Sequence, residues 1–207
     1  MPTLIATDAT LAQLRDRFGI VRSTNANFFS EGFASQLDIT EAEQAVLDRV
    51  QQNYLSQLET QSLSEETVKM VVVSPLLDLA GFYRYPFMID SEVSVEIQEL
   101  DENGVVLTGR IDTLIVRHQL WILVVESKRS RFSVQTAIPQ ALSYLLAKPQ
   151  PQQAGYALIT NGGEFLFIKL LSQETATYDF SETFSLLNHG NDLYEVLRIS
   201  KQIAASL

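Results

Sequence analysis

The chain has 207 residues, 46% of them hydrophobic, enough apolar mass for one well-buried core. With no Cys and two His, a disulfide framework, a thiolate nucleophile and Cys- or His-built metal centres are excluded, so any metal sits on oxygens. A net charge of −10 excludes a protein that coats nucleic acid by bulk electrostatics.

Residues 8–18 place Leu11, Leu14 and Phe18 at helical spacing, and Gly19 ends the segment. Thr40 and Glu43 form a capping box opening a helix with Leu47, Val50, Tyr54 and Leu58 on one face. A third helix is predicted from Ser64, with Val68, Val72, Leu76 and Leu79 on one stripe, Pro75 bending or restarting it and Gly81 ending it. From Phe87 the period becomes two. Val93, Val95 and Ile97, then Val105 and Leu107, alternate with polar residues around Asp101-Glu102-Asn103-Gly104, which has hairpin-turn chemistry. The runs at 111–116 and 121–125 are rich in Ile, Val and Leu, as in central strands covered on both faces. Helical periodicity returns at Ala137, Leu142, Leu145 and Leu146 and stops before Pro149 and Pro151. Residues 156–160 and 165–171 form a strand pair about Asn161-Gly162-Gly163. Leu193, Val196, Leu197, Ile203, Ala204 and Leu207 make a closing amphipathic helix. The sum is one α/β domain over residues 1–207, a mixed sheet with helices on its faces. It comprises a helical extension at 1–60, a core at 61–171 and a C-terminal strand and helix at 172–207. No apolar run approaches the roughly 20 residues that span a bilayer, and no basic residue precedes Arg15 to open a secretory signal, so a soluble, cytoplasmic chain is expected.

Chemistry concentrates at Gly109-Arg110-Ile111-Asp112 and Glu126-Ser127-Lys128. Glu126 and Lys128 share one strand face. With residues 118–120 as a hairpin loop, paired positions sum to 238. Asp112 then lies opposite Glu126 and Arg110 opposite Lys128, at roughly 4.5 to 5.5 Å between Cβ atoms. Two carboxylates so close repel unless a cation lies between them; Mg²⁺ or Mn²⁺ is the hard-oxygen choice, held with a backbone carbonyl and waters. A lysine beside such a metal orients a water and favours its deprotonated form, while the metal neutralises charge developing on a phosphodiester. Gln140 and Tyr144, four residues apart, share one helical face. Residues 110–131 carry five basic side chains against two acids, whereas residues 1–66 carry ten acids against four Arg. Arg110, Arg129 and Arg131 are therefore candidate phosphate contacts. The alternative reading of Asp112, Glu126 and Lys128 is a structural ion-pair cluster at a sheet end, and the helix dipole alone favours Glu65 and Glu66 in a first turn. Trp121, Phe165 and Phe167 are expected in the core, His118 and His189 in solvent.

These residues resemble the PD-(D/E)XK nuclease superfamily, and within it the N-terminal nuclease region of type I restriction enzyme R subunits. The likeness runs over residues 64–170. It rests on Ser64-Glu65, Ser74-Pro75-Leu76-Leu77, Ala80-Gly81-Phe82, Gly109 with Asp112, Glu126-Ser127-Lys128, Gln140 with Tyr144 and Thr160-Asn161-Gly162. It departs at Ile111, where the family name has Pro, and in lacking a Gly-x-x-x-x-Gly-Lys-Ser/Thr phosphate loop. The resemblance implies a restriction-endonuclease-like three-layer α/β/α sandwich around a central mixed sheet. It implies that Asp112 and Glu126 ligate Mg²⁺ with the Ser127 carbonyl, that Lys128 assists the water, and that Gln140 and Tyr144 border the site. A first-helix acid, Glu65 with Glu66 second, completes it. The implied function is a stand-alone Mg-dependent deoxyribonuclease that uses no ATP, with DNA as partner and a protein partner or homodimer as further possibilities. Two other classes stay open on the sequence: a module that keeps the fold and binds nucleic acid while cutting slowly or not at all, and a protein-interacting relative using the acidic first third.

Overall fold

A computed structural model describes residues 3–29, 37–98, 106–117, 120–127, 129–148, 153–172 and 174–206. In chain order its elements are β1 (Thr3–Ile5), α1 (Leu11–Phe18), β2 (Val21–Arg22), α2 (Glu41–Thr60), α3 (Glu65–Val68), α4 (Ser74–Leu79), β3 (Phe87–Gln98), β4 (Val106–Arg117) and β5 (Leu120–Ser127). There follow α5 (Ile138–Leu146), β6 (Gly155–Thr160), β7 (Glu164–Ser172), β8 (Ala176–Phe180), β9 (Phe184–Ser185) and α6 (Leu193–Ala205). The sheet runs β1-β4-β5-β6-β7-β8-β2, with β3 also on β4 and β9 also on β7. It is mixed: β1 with β4, β5 with β6 and β2 with β8 are parallel, the other pairs antiparallel.

Strand alternation divides the apolar side chains between two cores. Leu158, Phe165 and Phe167 pack with Leu47, Val50 and Tyr54 of α2, Val68 of α3, Leu76 of α4 and Val196 of α6. Ala157, Ile159, Leu166 and Ile168 project the other way, against Leu14 of α1 and Ala141, Leu142 and Tyr144 of α5. The sheet therefore has helices on both faces. Among the described residues no helix is long and apolar enough to cross a membrane.

The local signals set several boundaries. Thr10 caps α1 in a capping box with Gln13, and left-handed Gly19 closes it. Thr40 and Glu43 form the capping box of α2, and Ser64 caps α3 through the Thr67 amide. Between α3 and α4 the helix continues through a wider, π-type turn, Lys69–Val73. The cause is Pro75: it has no amide to give Val71, and its ring crowds that carbonyl, so the backbone opens rather than breaks.

Some expectations are corrected. Residues 3–5 and 21–22, read as part of a helical extension, are strands β1 and β2; two or three residues carry no periodicity to read. Leu107 and the run at 111–116 belong to one twelve-residue strand, β4, running through Gly109, and Val105 lies outside the described residues. Leu120, placed in a hairpin loop, pairs with Arg117, because a register shift at Ile115/Val116 changes the pairing sum from 238 to 237. Leu58 of α2 and Leu11 of α1 are exposed rather than core-facing. The expected turn at 101–104, His118, Leu207 and the Trp121 side chain lie outside the described residues; Phe165 and Phe167 are buried and His189 is exposed.

Just beyond α5, Lys148 is 7% exposed, its ammonium donating to the Gln153 carbonyl. Burial pushes its pKa from 10.5 down to about 8. Between those values the unfolded chain binds more protons than the folded one, so this residue makes stability rise with pH. Lys148→Met should be more stable than the parent below pH 8, and its advantage should shrink toward pH 10.5, by at most about 1.4 kcal/mol per pH unit. Urea unfolding of both proteins across that range checks this; a constant difference would contradict it.

Candidate functional site

The site begins with a gap in strand pairing. β3 runs along one edge of β4. On the other edge β1 pairs with residues 106–108 and β5 with residues 113–117. Residues 109–112 fall between, paired with neither β1 nor β5. A buried carbonyl left there would cost stability; the Tyr144 hydroxyl donates to the Arg110 carbonyl at 2.8 Å and accepts from the Gln140 amide at 2.8 Å. Both side chains come from α5 and are buried. Gly109 is required beneath them: a Cβ there would stand 2.6 Å from Tyr144 Cε1 and 2.8 Å from Ala6 Cβ. The notch opens into a cleft of about 740 Å³ lined by Glu65, Glu92, Gly109, Arg110, Asp112, Gln140 and Tyr144, with Ile5 and Thr7 at one wall.

Three carboxylates converge at its edge. The Lys69 ammonium lies 3.4 Å from Glu65, 3.5 Å from Asp112 and 3.7 Å from Glu92. Lys69 follows Glu65 by one helical turn and stands at the start of the π-type turn. Glu92 sits in the middle of β3 with φ of 57°, the left-handed region, which costs a non-glycine residue about 1 kcal/mol or more. The ladder is interrupted there: Ser91 pairs with Thr113 and Val93 with Ile111, and Glu92 and Asp112 between them do not pair. The break turns the Glu92 side chain to Lys69 and to Arg110, whose guanidinium takes its other oxygen. Burial pushes the Lys69 pKa down, but Asp112, Glu65 and Glu92 outweigh it and hold the ammonium above the ordinary lysine value.

The residues singled out from the sequence fall as follows. Glu65, Asp112, Gln140 and Tyr144 share the cleft. Glu126 and Ser127 end β5, paired with Ile159 and Thr160; the β4–β5 ladder runs as far as Thr113↔Val125, the positions next to Asp112 and Glu126 in the chain. Lys128 lies outside the described residues. Arg110 is exposed on the rim. Arg129 lines an adjoining groove of about 460 Å³ with Glu65, Phe132 and Gln140. Arg131 is exposed and is not among the residues lining either space. Glu66 is exposed above a shallower groove with Lys69 and Asp112. Hydrogen bonds from its own amide and from Ser64 lower its pKa.

Three contributors escaped the sequence reading, and a fourth, Asn161, was legible only as part of a turn and of the Thr160-Asn161-Gly162 motif. Lys69 was legible only as the residue four after Glu65, and Glu92 gave no signal, being a non-glycine residue at a kink. Ser130 accepts from the Leu63 amide at 3.0 Å and returns its own amide to the Leu63 carbonyl at 3.3 Å, tying the segment after β5 to the start of α3. Asn161 closes the β6 to β7 turn through the Gly163 and Glu164 amides and also donates to the Phe132 carbonyl at 2.8 Å. The expected hairpin turn is thus also a brace for the loop carrying Arg129.

A divalent cation suits this donor set in kind, because carboxylate oxygens are hard ligands. As the side chains stand, no group of three or more acidic or imidazole residues among those described is close enough to hold a metal, and the lysine ammonium lies where the acids converge.

Tyr144→Phe should leave the secondary structure intact and cost about 1 to 3 kcal/mol, since the Arg110 carbonyl and the Gln140 amide both lose a partner in a buried place. Denaturant midpoints would show it; an unchanged midpoint would mean that water replaces the hydroxyl.

No protein-family model and no curated protein matches the chain. Among solved structures, it is similar to a fragment described as an HsdR subunit of a type I restriction enzyme from Vibrio vulnificus YJ016, at 22% identity and a TM-score of 0.41. That match covers 69% of this chain and 26% of the other. The chain thus spans about a quarter of its neighbour's length.

Proposed function

We propose that this protein is a metal-dependent nuclease, a restriction-endonuclease-like sandwich of the PD-(D/E)XK kind, hydrolysing DNA phosphodiester bonds in the cleft on β4. The observation that carries the reading is the convergence of Glu65, Glu92 and Asp112 on one point, with Asp112 one residue before Thr113, which pairs with Val125 of β5. Asp112 and Glu126 would hold Mg²⁺ or Mn²⁺ with the Ser127 carbonyl, Glu65 standing by. A bound divalent ion supplies Lewis acidity toward a phosphoryl oxygen and a more acidic water. The chain's own residues do the rest. Lys128 orients the water. Arg110 and Arg129, at the rim and in the adjoining groove, bind non-bridging phosphate oxygens as paired donors. Phe132, 54% exposed beside Arg129, offers a face for an unpaired base. Gln140 and Tyr144 keep the β4 backbone of the notch in place. No step uses ATP, and DNA is the substrate, with a partner protein or a second copy supplying any sequence preference.

One observation favours a second reading: Lys69 already compensates the acidic cluster, as a module that binds nucleic acid without cutting it would allow. Incubating the protein with supercoiled plasmid and with single-stranded DNA, with Mg²⁺ or Mn²⁺ and then with a chelator, separates the two. Metal-dependent cleavage supports the nuclease. Salt-sensitive binding without products, at every metal concentration, supports the module, and neither activity would overturn both.

A further inference from the structure

Lys69 takes no part in the chemistry just described, yet it is the side chain around which Glu65, Glu92 and Asp112 are arranged. Its ammonium is within 3.7 Å of three carboxylates from three elements: Glu65 on α3, Glu92 on β3 and Asp112 on β4. Two local distortions serve this arrangement. The helix widens into a π-type turn beginning at Lys69, and β3 adopts a left-handed backbone at Glu92. Distortions of both kinds cluster where a protein holds groups in an arrangement that relaxed elements would not give. Without a cation, three carboxylates at this spacing repel one another. A tethered ammonium supplies one positive charge at a fixed point, whereas a divalent cation supplies two and binds the oxygens directly.

The geometry points to Lys69 as an internal counter-ion: it holds the acids of the cleft together while the metal is absent, must swing away from Asp112 as a divalent cation enters, and so lowers metal affinity. This inference rests on the metal site proposed above. Lys69 is a positioning residue in this scheme and is 27% exposed, so its four-carbon stem has solvent to move into.

Mn²⁺ binding to the full chain, measured by calorimetry for the parent, Lys69→Gln and Asp112→Asn, tests it without reference to activity. The expected result is that Lys69→Gln binds Mn²⁺ about tenfold more tightly than the parent, because a like charge has been removed from beside the ion, and that Asp112→Asn loses binding. As a second readout, the lysines are converted to ¹³C-dimethyl-lysine, and the Lys69 resonance, assigned by its absence in Lys69→Gln, is followed while Mg²⁺ is added. It should move in proportion to the fraction of metal bound, and it keeps the inference testable if the substitution unfolds the chain. Equal or weaker Mn²⁺ binding by a folded Lys69→Gln, or a Lys69 resonance that stays fixed while metal saturates, would overturn the role of Lys69 and leave the metal site standing. Absence of binding in the parent, or full binding by Asp112→Asn, would overturn the site and the counter-ion together.

Discussion

Asp112→Ala should lower Mg²⁺-dependent plasmid cleavage by at least about two orders of magnitude, the loss typical when a group that stabilises developing charge in a closed site is removed. The side chain is 13% exposed and faces Lys69 at 3.5 Å, so its removal takes away a ligand and also one of the three anions around that ammonium. The fold should survive, because Ile111 and Leu114, on either side of it in β4, are fully packed and Lys69 keeps Glu65 and Glu92. Asp112→Asn preserves shape and removes only charge; it should be as inactive as the alanine variant while unfolding close to the parent temperature. Initial rates over a range of Mg²⁺ concentrations, beside thermal unfolding curves, make the comparison. Full activity in both variants would end the nuclease reading; equal loss of activity and of folding would make Asp112 a structural ion-pair member instead.

A second large effect is expected from one methyl group. Gly109→Ala places a Cβ 2.6 Å from the Tyr144 ring and 2.8 Å from Ala6 Cβ, distances at which something must shift. Neither neighbour yields easily. The ring is held at its hydroxyl by the Arg110 carbonyl and by Gln140, and Ala6 Cβ is fixed to the backbone just after β1. Overpacking of this kind costs about 1 to 3 kcal/mol. The displacement falls on the notch of β4, so activity should drop by more than the fraction of unfolded protein accounts for. Combining Gly109→Ala with Tyr144→Ala relieves the closer contact, and the two costs should then fall well short of additive. Simple additivity would show that the ring is not what the new methyl meets.

These expectations lean on contacts that differ in how visible they were beforehand. Local chemistry was legible wherever one short segment carries both the cause and the effect. The Thr40 and Glu43 capping box, the Ser64 cap, the helix stop at Gly19 and the turn at Asn161-Gly162-Gly163 all lie where their residue types demand. The central strand register was legible too, because two continuous apolar runs separated by a short loop pair in one way, and that register holds from Thr113 to Ile115 before it shifts. Gln140 and Tyr144, one helical turn apart, meet as that spacing requires.

What the chain by itself determined is the type and order of most elements, the apolar stripe of each, and the group of Glu65, Asp112, Gln140 and Tyr144 that ends up in one cleft. Tertiary structure alone decided that β1, three residues long, completes one edge of β4 and leaves the notch at 109–112. It alone also decided that Glu92 bends out of its strand and that Lys69 faces three acids. The physical reason is range. Caps, turns and periodicity act over a few residues and are written in composition. A kinked strand and a shared counter-ion arise between segments dozens of residues apart, where packing and charge, summed over the folded chain, outweigh local preference.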